Sequence, residues 1–334
     1  MSKIIKSVKH INWELFLSLL VMGLVPTIYT TVRVFFIGQL PGDWSFSIAG
    51  QLSWVNLIYE ILNEAIILPL YFFMGKVVSD KTEYTNRIKT GLIISFCIYA
   101  VCSIFICLFT NPLLVAMATS KDIIGESAIY IRIESIANIF SLLASFLLVC
   151  LVTLGKSKYV YILTGVKLAL CIIFDTFFVS TLSISANLGV NGIGYSNIVV
   201  NLLLFIVSVI LLSKEGYSIF NKEKLSFKWT KGLLKVGGIS GAESFVRNVA
   251  YMIMISRMVN MVNEQGTYWV ANILQFADVD KLFSLVMVLL GFYVLYALQN
   301  VFDSEFYGLG KTNYMLFESK EDKHPGGRIK CQTS

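Results

Sequence analysis

Polar and apolar residues alternate along this chain in long blocks rather than residue by residue. Eight apolar blocks stand out, at about 13–38, 50–75, 90–110, 127–153, 159–182, 191–213, 232–262 and 279–302. Each is long enough to cross a bilayer with some tilt. Helix is the backbone expected for all eight, because lipid cannot satisfy the open edges of a sheet. The blocks are also too continuous for the alternating strands of a barrel. The polar connections differ sharply in basic content. Lys3, Lys6 and Lys9 precede the first block, and 39–49 has no Lys or Arg. Lys76, Lys81, Arg87 and Lys89 fill the second connection, and only Lys121 sits in the third. Lys156 and Lys158 lie in the fourth, and the fifth is again empty. Lys214, Lys222, Lys224, Lys228, Lys231 and Lys235 crowd around the sixth, and Lys281 is alone in the seventh. The tail carries Lys311, Lys320, Lys323, Arg328 and Lys330. This alternation never breaks. By the positive-inside rule it predicts a multi-pass protein of the cell membrane with both termini in the cytoplasm.

Composition agrees with the blocks. Of 334 residues 56% are apolar and 14% charged, against about 25% charged in a typical soluble domain. The net charge of +6 is explained by the cytoplasmic connections, so no nucleic-acid partner is expected. Of six cysteines, Cys97, Cys102, Cys107, Cys150 and Cys171 fall inside apolar blocks, Cys331 lies in the tail, and no C-x-x-C pair occurs. They read as small buried hydrophobes. The two histidines, His10 and His324, lie near the ends, which argues against histidine-ligated metal or haem within the membrane. No cleavable leader is expected, since the first block runs on as a span. There is no nucleophile elbow, P-loop or metal-ligand cluster, so an enzyme is not expected, and neither is a metal or cofactor.

Ionisable and amide residues inside the blocks are the candidate chemistry, because they are costly in lipid. Asn56, Glu60, Asn63 and Glu64 follow i, i+4, i+7, i+8 spacing and share one helix face. Two carboxylates one turn apart repel when both are ionised, which suits a site that exchanges a proton or binds a cation. The alternatives are pairing with arginines elsewhere or exposure to a wet vestibule. Glu243 and Arg247 stand one turn apart with the acid first, the order that favours a local pair. Asn138, Ser141 and Ser145 form a small polar face that reads as helix packing. Asn197 and Asn201 suit either a cavity wall or bonding between helices. Trp13, Trp44, Trp54, Trp229 and Trp269 fall near predicted interfaces and read as an aromatic belt. Pro26 and Pro69 lie within spans and could bend them or simply shape packing.

The order of short motifs carries a resemblance. Val32-Arg-Val-Phe-Phe-Ile-Gly38 ends the first block, and Leu154-Gly-Lys-Ser-Lys-Tyr159 turns between the fourth and fifth. Phe174-Asp-Thr-Phe-Phe-Val179 lies in the fifth block, and Leu188-Gly-Val-Asn-Gly-Ile-Gly194 opens the sixth. In this order and spacing the chain resembles the multidrug and toxic compound extrusion (MATE) transporters over about 10–275 and 285–318. Leu154–Tyr159 also resembles Leu309-Gly-Lys-Thr-Asn-Tyr314, and Ile48-Ala-Gly50 resembles Val270-Ala-Asn272, as expected of an internal repeat. Those two offsets differ by 67, so the second half is expected to lack about 65 residues near 274–285 and to stop short.

The resemblance implies an all-α polytopic membrane protein with a six-helix bundle over 1–213 and a linker at 214–231. A partial second bundle at 232–318 and a polar tail at 319–334 would follow, about eight membrane helices in all. It implies alternating-access export of small organic or drug-like compounds, coupled to sodium ions or protons. Two other readings stay open: a flippase for a lipid-linked saccharide, with Arg33, Arg247 and Lys167 meeting phosphate, and a non-transporting truncated remnant. The family commonly has an acid where this chain has Arg33, and Asp175 matches an acidic position of the fifth helix. Since the resemblance puts both helices in one bundle, Arg33 and Asp175 are expected to form a buried ion pair. The alternative is that Arg33 reaches the outer surface. The expected ion-coupling or substrate residues are thus Arg33, Asn56, Glu60, Asn63, Glu64, Asp175, Glu243 and Arg247.

Overall fold

The computed structural model describes residues 29–42, 44–219 and 225–274. The N-terminal half of the first expected span, all of the eighth, Pro26 and the junction near 274–285 past its first residue lie outside the described residues. What is described is helical throughout, with no strand. Helix α1 covers 29–38. A short α2 (Ser45–Gly50) leads through Gln51 into α3 (Leu52–Gly75). Then come α4 (Lys81–Ala116), α5 (Ile124–Thr153), α6 (Ser157–Phe178) and α7 (Asn191–Lys214). Helix α8 (Thr230–Tyr251) continues through a π-helical turn at Met252–Ser256 into α9 (Arg257–Met261), and α10 (Gln265–Leu274) follows.

Five of these helical stretches are long and apolar enough to cross a membrane, and they correspond to the second to sixth expected spans. Their outward faces are apolar: Val101, Ile104, Phe105 and Leu108 of α4 are all more than half exposed. Such a surface needs lipid rather than water around it. Their polar ends have local causes. The Asp80 carboxylate accepts from the Thr82 and Glu83 amides and starts α4 nine residues earlier than expected. The helix breaks at Phe109 (φ −103°, ψ 16°), three residues before Pro112, then continues to Ala116. Gly155 takes φ +74° to end α5, and the Gly155 and Lys156 amides close back on the carbonyls of Val152 and Leu151. Helix α6 stops at Phe178, short of the expected 182, because the amides of Val179 and Ser180 both turn back to the Asp175 carbonyl.

The basic connections meet at one end of the bundle. Lys156 Nζ lies 2.8 Å from Glu215 Oε2, and Lys81 stands over the Tyr217 ring. The bond between Lys156 and Glu215 raises the lysine pKa and lowers that of the glutamate. The pair therefore contributes most at neutral pH. Its contribution is lost as pH falls through the depressed glutamate pKa or rises through the elevated lysine pKa. Asn86 binds the Ser226 backbone twice, accepting from its amide at 2.8 Å and donating to its carbonyl at 3.0 Å. Trp229 Nε1 donates to Thr90 Oγ1 at 2.8 Å, and the Arg87 guanidinium covers its ring. Trp229 is thus a buried anchor of the linker, and Trp54 is buried too, donating to Gln51 Oε1. Both depart from the expected aromatic belt, because each indole N–H has a partner inside the protein. Trp44 is exposed, as a belt residue would be, and Trp13 lies outside the described residues.

Helix α8 packs along α3 through a glycine seam. A Cβ on Gly237 would fall 1.7 Å from the Ala65 carbonyl oxygen, and one on Gly241 would fall 2.8 Å from Ala65 Cβ. The i, i+4 glycines let the two backbones touch, as small residues do between membrane helices. Gly238, one residue along, has open space beside it. Gly237→Ala is expected to destabilise the protein by about 1–3 kcal/mol through overpacking. Gly238→Ala should be neutral or slightly stabilising, since alanine favours helix. Thermal unfolding of the two variants in one detergent checks this, and equal melting temperatures would refute the seam.

Candidate functional site

Two clusters of midspan charge occur among the described residues, and each borders a cavity. The first is built on α1, α5, α6 and α7. Arg33 Nε lies 2.9 Å from Asp175 Oδ2, and its Nη2 lies 3.2 Å from Asp175 Oδ1. Both residues are buried, at 8% and 1% exposure. The expected ion pair is present, and Arg33 does not reach the surface. The two-point fork also fixes the guanidinium plane. Arg33 Nη2 also donates to Asn197 Oδ1 at 3.0 Å. Asn197 in turn donates through Nδ2 to Glu134 Oε1 at 2.7 Å. Tyr130, one turn earlier on α5, lies beside the same carboxyl group.

The local sequence explains how the helices come this close. A Cβ on Gly192 would lie 2.6 Å from the Phe178 carbonyl oxygen, and one on Gly194 would lie 2.6 Å from Ile133 Cγ2. The glycines that open α7 therefore bring Asn197 between Arg33 and Glu134. A cavity of about 210 Å³ lies against this network, with Arg33, Asn56, Glu134, Lys167, Asn197 and Asn201 among its lining residues.

The second cluster joins α3 to α8. Arg247 Nη1 lies 3.0 Å from Glu243 Oε1, which is the expected local pair. Its Nη2 lies 2.5 Å from Glu64 Oε1 and 3.5 Å from Glu60 Oε1. One guanidinium thus holds three carboxylates, two of them from the other helix. Glu64 is 12 residues from Leu52 and 11 from Gly75, so the cluster sits near mid-helix, about 17 Å from either end. The Asn248 side chain adds a bond from Nδ2 to the Leu57 carbonyl at 3.1 Å.

Beside this cluster is a cavity of about 320 Å³ lined by Asn56, Tyr59, Glu60, Asn63, Tyr99, Asn138, Ser141, Leu142 and Ser145. The predicted polar face of α3 is therefore a cavity wall, with Glu64 turned aside to Arg247. Asn138, Ser141 and Ser145 line the same cavity and do not simply pack helices together, a correction to the sequence reading. Asn56, Asn138 and Ser141 border both cavities, so the two are neighbours. A larger outer cleft of about 550 Å³ between α2 and α10 has no charged side chain among its described lining residues.

Glu134 was not among the sequence candidates. Its signal was present: it lies one turn before Asn138, in register with Ser141 and Ser145 on the same polar face.

Comparison with solved structures matches this helix arrangement. An outward-facing multidrug resistance MATE family transporter of the MOP superfamily superposes with a TM-score of 0.66 at 15% identity, covering 90% of this chain and 82% of that one. The chain has the MATE fold. A MATE in complex with MaD3S gives a TM-score of 0.60 at 15% identity over 89% of this chain and 75% of that chain. A MATE in a bent conformation gives 0.54 at 18% identity over 86% and 73%. No family model and no curated protein matches the sequence. The likeness to MATE structures is thus one of fold.

The ion pair in this MATE fold has a measurable consequence. Arg33→Met leaves the Asp175 carboxylate buried without its counter-charge and is expected to cost about 3–5 kcal/mol. Asp175→Asn in that background should restore much of the loss, because it removes the stranded charge. Unfolding free energies of the two single variants and the double variant test this coupling. Additive losses would show that the two residues do not act as a pair.

Proposed function

We propose that this protein is an ion-coupled secondary transporter of the membrane that exports small organic compounds by alternating access, driven by protons or sodium ions. The observation that carries the reading is the Arg247 cluster, which straddles α3 and α8 beside a polar midspan cavity. In an alternating-access carrier the two bundles move against each other, so a charge cluster between them feels the motion. Three carboxylates share one guanidinium here, leaving an excess of negative charge. A proton or cation is attracted to that excess. Once bound, it competes with Arg247 for Glu60 and Glu64 and weakens the tie between the helices. Glu60, the loosest of the three at 3.5 Å, faces the cavity and is the point of entry. Substrate occupies the same polar space, so ion and substrate act on one contact.

The fold supports this reading, since two MATE structures are solved as a multidrug resistance transporter and as a ligand complex. The basic connections gathered at one end favour a cell-membrane protein with that end in the cytoplasm. Removing both charges from α3 tests the coupling. Glu60→Gln with Glu64→Gln is expected to lower gradient-driven efflux from proteoliposomes at least tenfold, while the protein still elutes as a folded species. Efflux at the native rate would remove the cluster from the mechanism.

A further inference from the structure

The 210 Å³ cavity carries a charge pattern that the coupling cluster does not use. Arg33 and Asp175 neutralise each other, which leaves one acidic and one basic side chain on the wall, Glu134 and Lys167. Glu134, at 3% exposure, is bonded by the neutral amide of Asn197 and has no cation within ion-pair distance among the described residues. Lys167 lies on the face of α6 that also carries Cys171 and Asp175, at i, i+4 and i+8. It lines the cavity with no hydrogen bond or ion pair among the described residues.

Lys167 sits ten residues from Ser157 and eleven from Phe178, midway along the helix, where a bare ammonium is most costly. The two groups come from different helices and do not pair with each other. Each lacks the partner that buried charges normally have. A ligand that carries both charges satisfies both residues at once, and one that carries a single charge leaves the other exposed to the same penalty.

We infer that this cavity binds a small zwitterion, its anionic end against Lys167 and its cationic end against Glu134. Asn56, Asn138, Ser141 and Asn201 supply hydrogen bonds to the body of the ligand. The volume holds roughly seven waters at about 30 Å³ each, the scale of an amino-acid-sized molecule. This inference names a substrate class for the transporter proposed above and rests on that reading only for the word substrate.

Titration calorimetry on the full chain in lipid nanodiscs tests it with glycine, β-alanine and 4-aminobutyrate, which span a range of charge separations. For whichever binds tightest, the methyl ester supplies the cation alone and the deaminated acid supplies the anion alone. The zwitterion is expected to bind at least tenfold tighter than either. Lys167→Met should bring the ester level with the zwitterion, and Glu134→Gln should do the same for the acid. These opposite responses separate lost contacts from lost folding. No binding by any of the three, or an ester or acid that binds as tightly as its zwitterion, would overturn the inference. Zwitterion binding without any transport would count against the transporter reading and leave the pocket standing. Transport of other organic compounds with no zwitterion binding would do the reverse.

Discussion

The contact between α3 and α8 is the constraint on which the rest of the described structure depends. It combines interactions of different kinds. Gly237 and Gly241 put one backbone directly on the other at Ala65, the neighbour of Glu64. At mid-helix, Arg247 ties Glu60 and Glu64. Toward the other end, neutral amides take over: Gln51 Nε2 donates to Asn260 Oδ1 at 2.8 Å, and Asn260 Nδ2 donates to the Met117 carbonyl at 2.9 Å. Gln265 Nε2 continues the pattern by donating to the Gly50 carbonyl at 2.8 Å. Dispersion and charge thus join α3 to α8, and amide hydrogen bonds join the segments that extend them, Gln51 and α2 on one side and α9 and α10 on the other. Helix α8 is too polar to count as a span by hydropathy alone because this face is spent on α3 rather than on lipid.

Behind that seam, the Arg33–Asp175 pair organises α1, α5, α6 and α7. A buried guanidinium has five N–H donors and no tolerance for leaving them unmet. Asp175 and Asn197 take three of its bonds, and the Tyr29 ring lies 5.6 Å from its carbon. Asn197 can bond Glu134 only because its carbonyl oxygen already faces Arg33, leaving the amide nitrogen to point the other way. The position of one arginine therefore sets the orientation of an asparagine and, through it, of a carboxylate on a third helix. That chain of dependence makes the pair architectural as well as electrostatic.

Much of this was legible in the sequence, but unevenly. Block hydropathy located the second to sixth helices because lipid demands long apolar runs and little else competes with that demand. It misplaced the start of α4, where Lys81, Glu83, Arg87 and Lys89 interrupt the apolar run. Those charges are compatible with helix because Arg87 satisfies itself on Glu83 and on the Phe73 carbonyl at 2.6 Å. The Arg33–Asp175 pair followed from two charges too costly to leave alone, once a resemblance put their helices in one bundle. The union of Glu60 and Glu64 with Arg247 could be stated only as an alternative, since no periodicity says which helix faces which. Glycine contacts were the least visible. Gly237 and Gly238 are neighbours of the same type, yet only one meets a backbone, and that difference exists only in three dimensions.

The three-part seam also bears on how such a protein responds to an ion at all. The glycine contact depends on shape, and the amide lattice of Gln51, Asn260 and Gln265 has no group that titrates near neutral pH. Neither changes strength when a proton or cation arrives. The Arg247 cluster does, because a charge pair about 4 Å apart is worth about 4 kcal/mol at an effective dielectric of 20 and less where solvent reaches it. Arg247 is half exposed, so its hold on α3 is weak enough to compete for. The glycine and amide contacts keep the helices in register while the middle contact changes. Under the proposed coupling, an ion entering past Glu60 would meet the part of the seam whose strength it is able to alter, beside the polar side chains that line the neighbouring cavity.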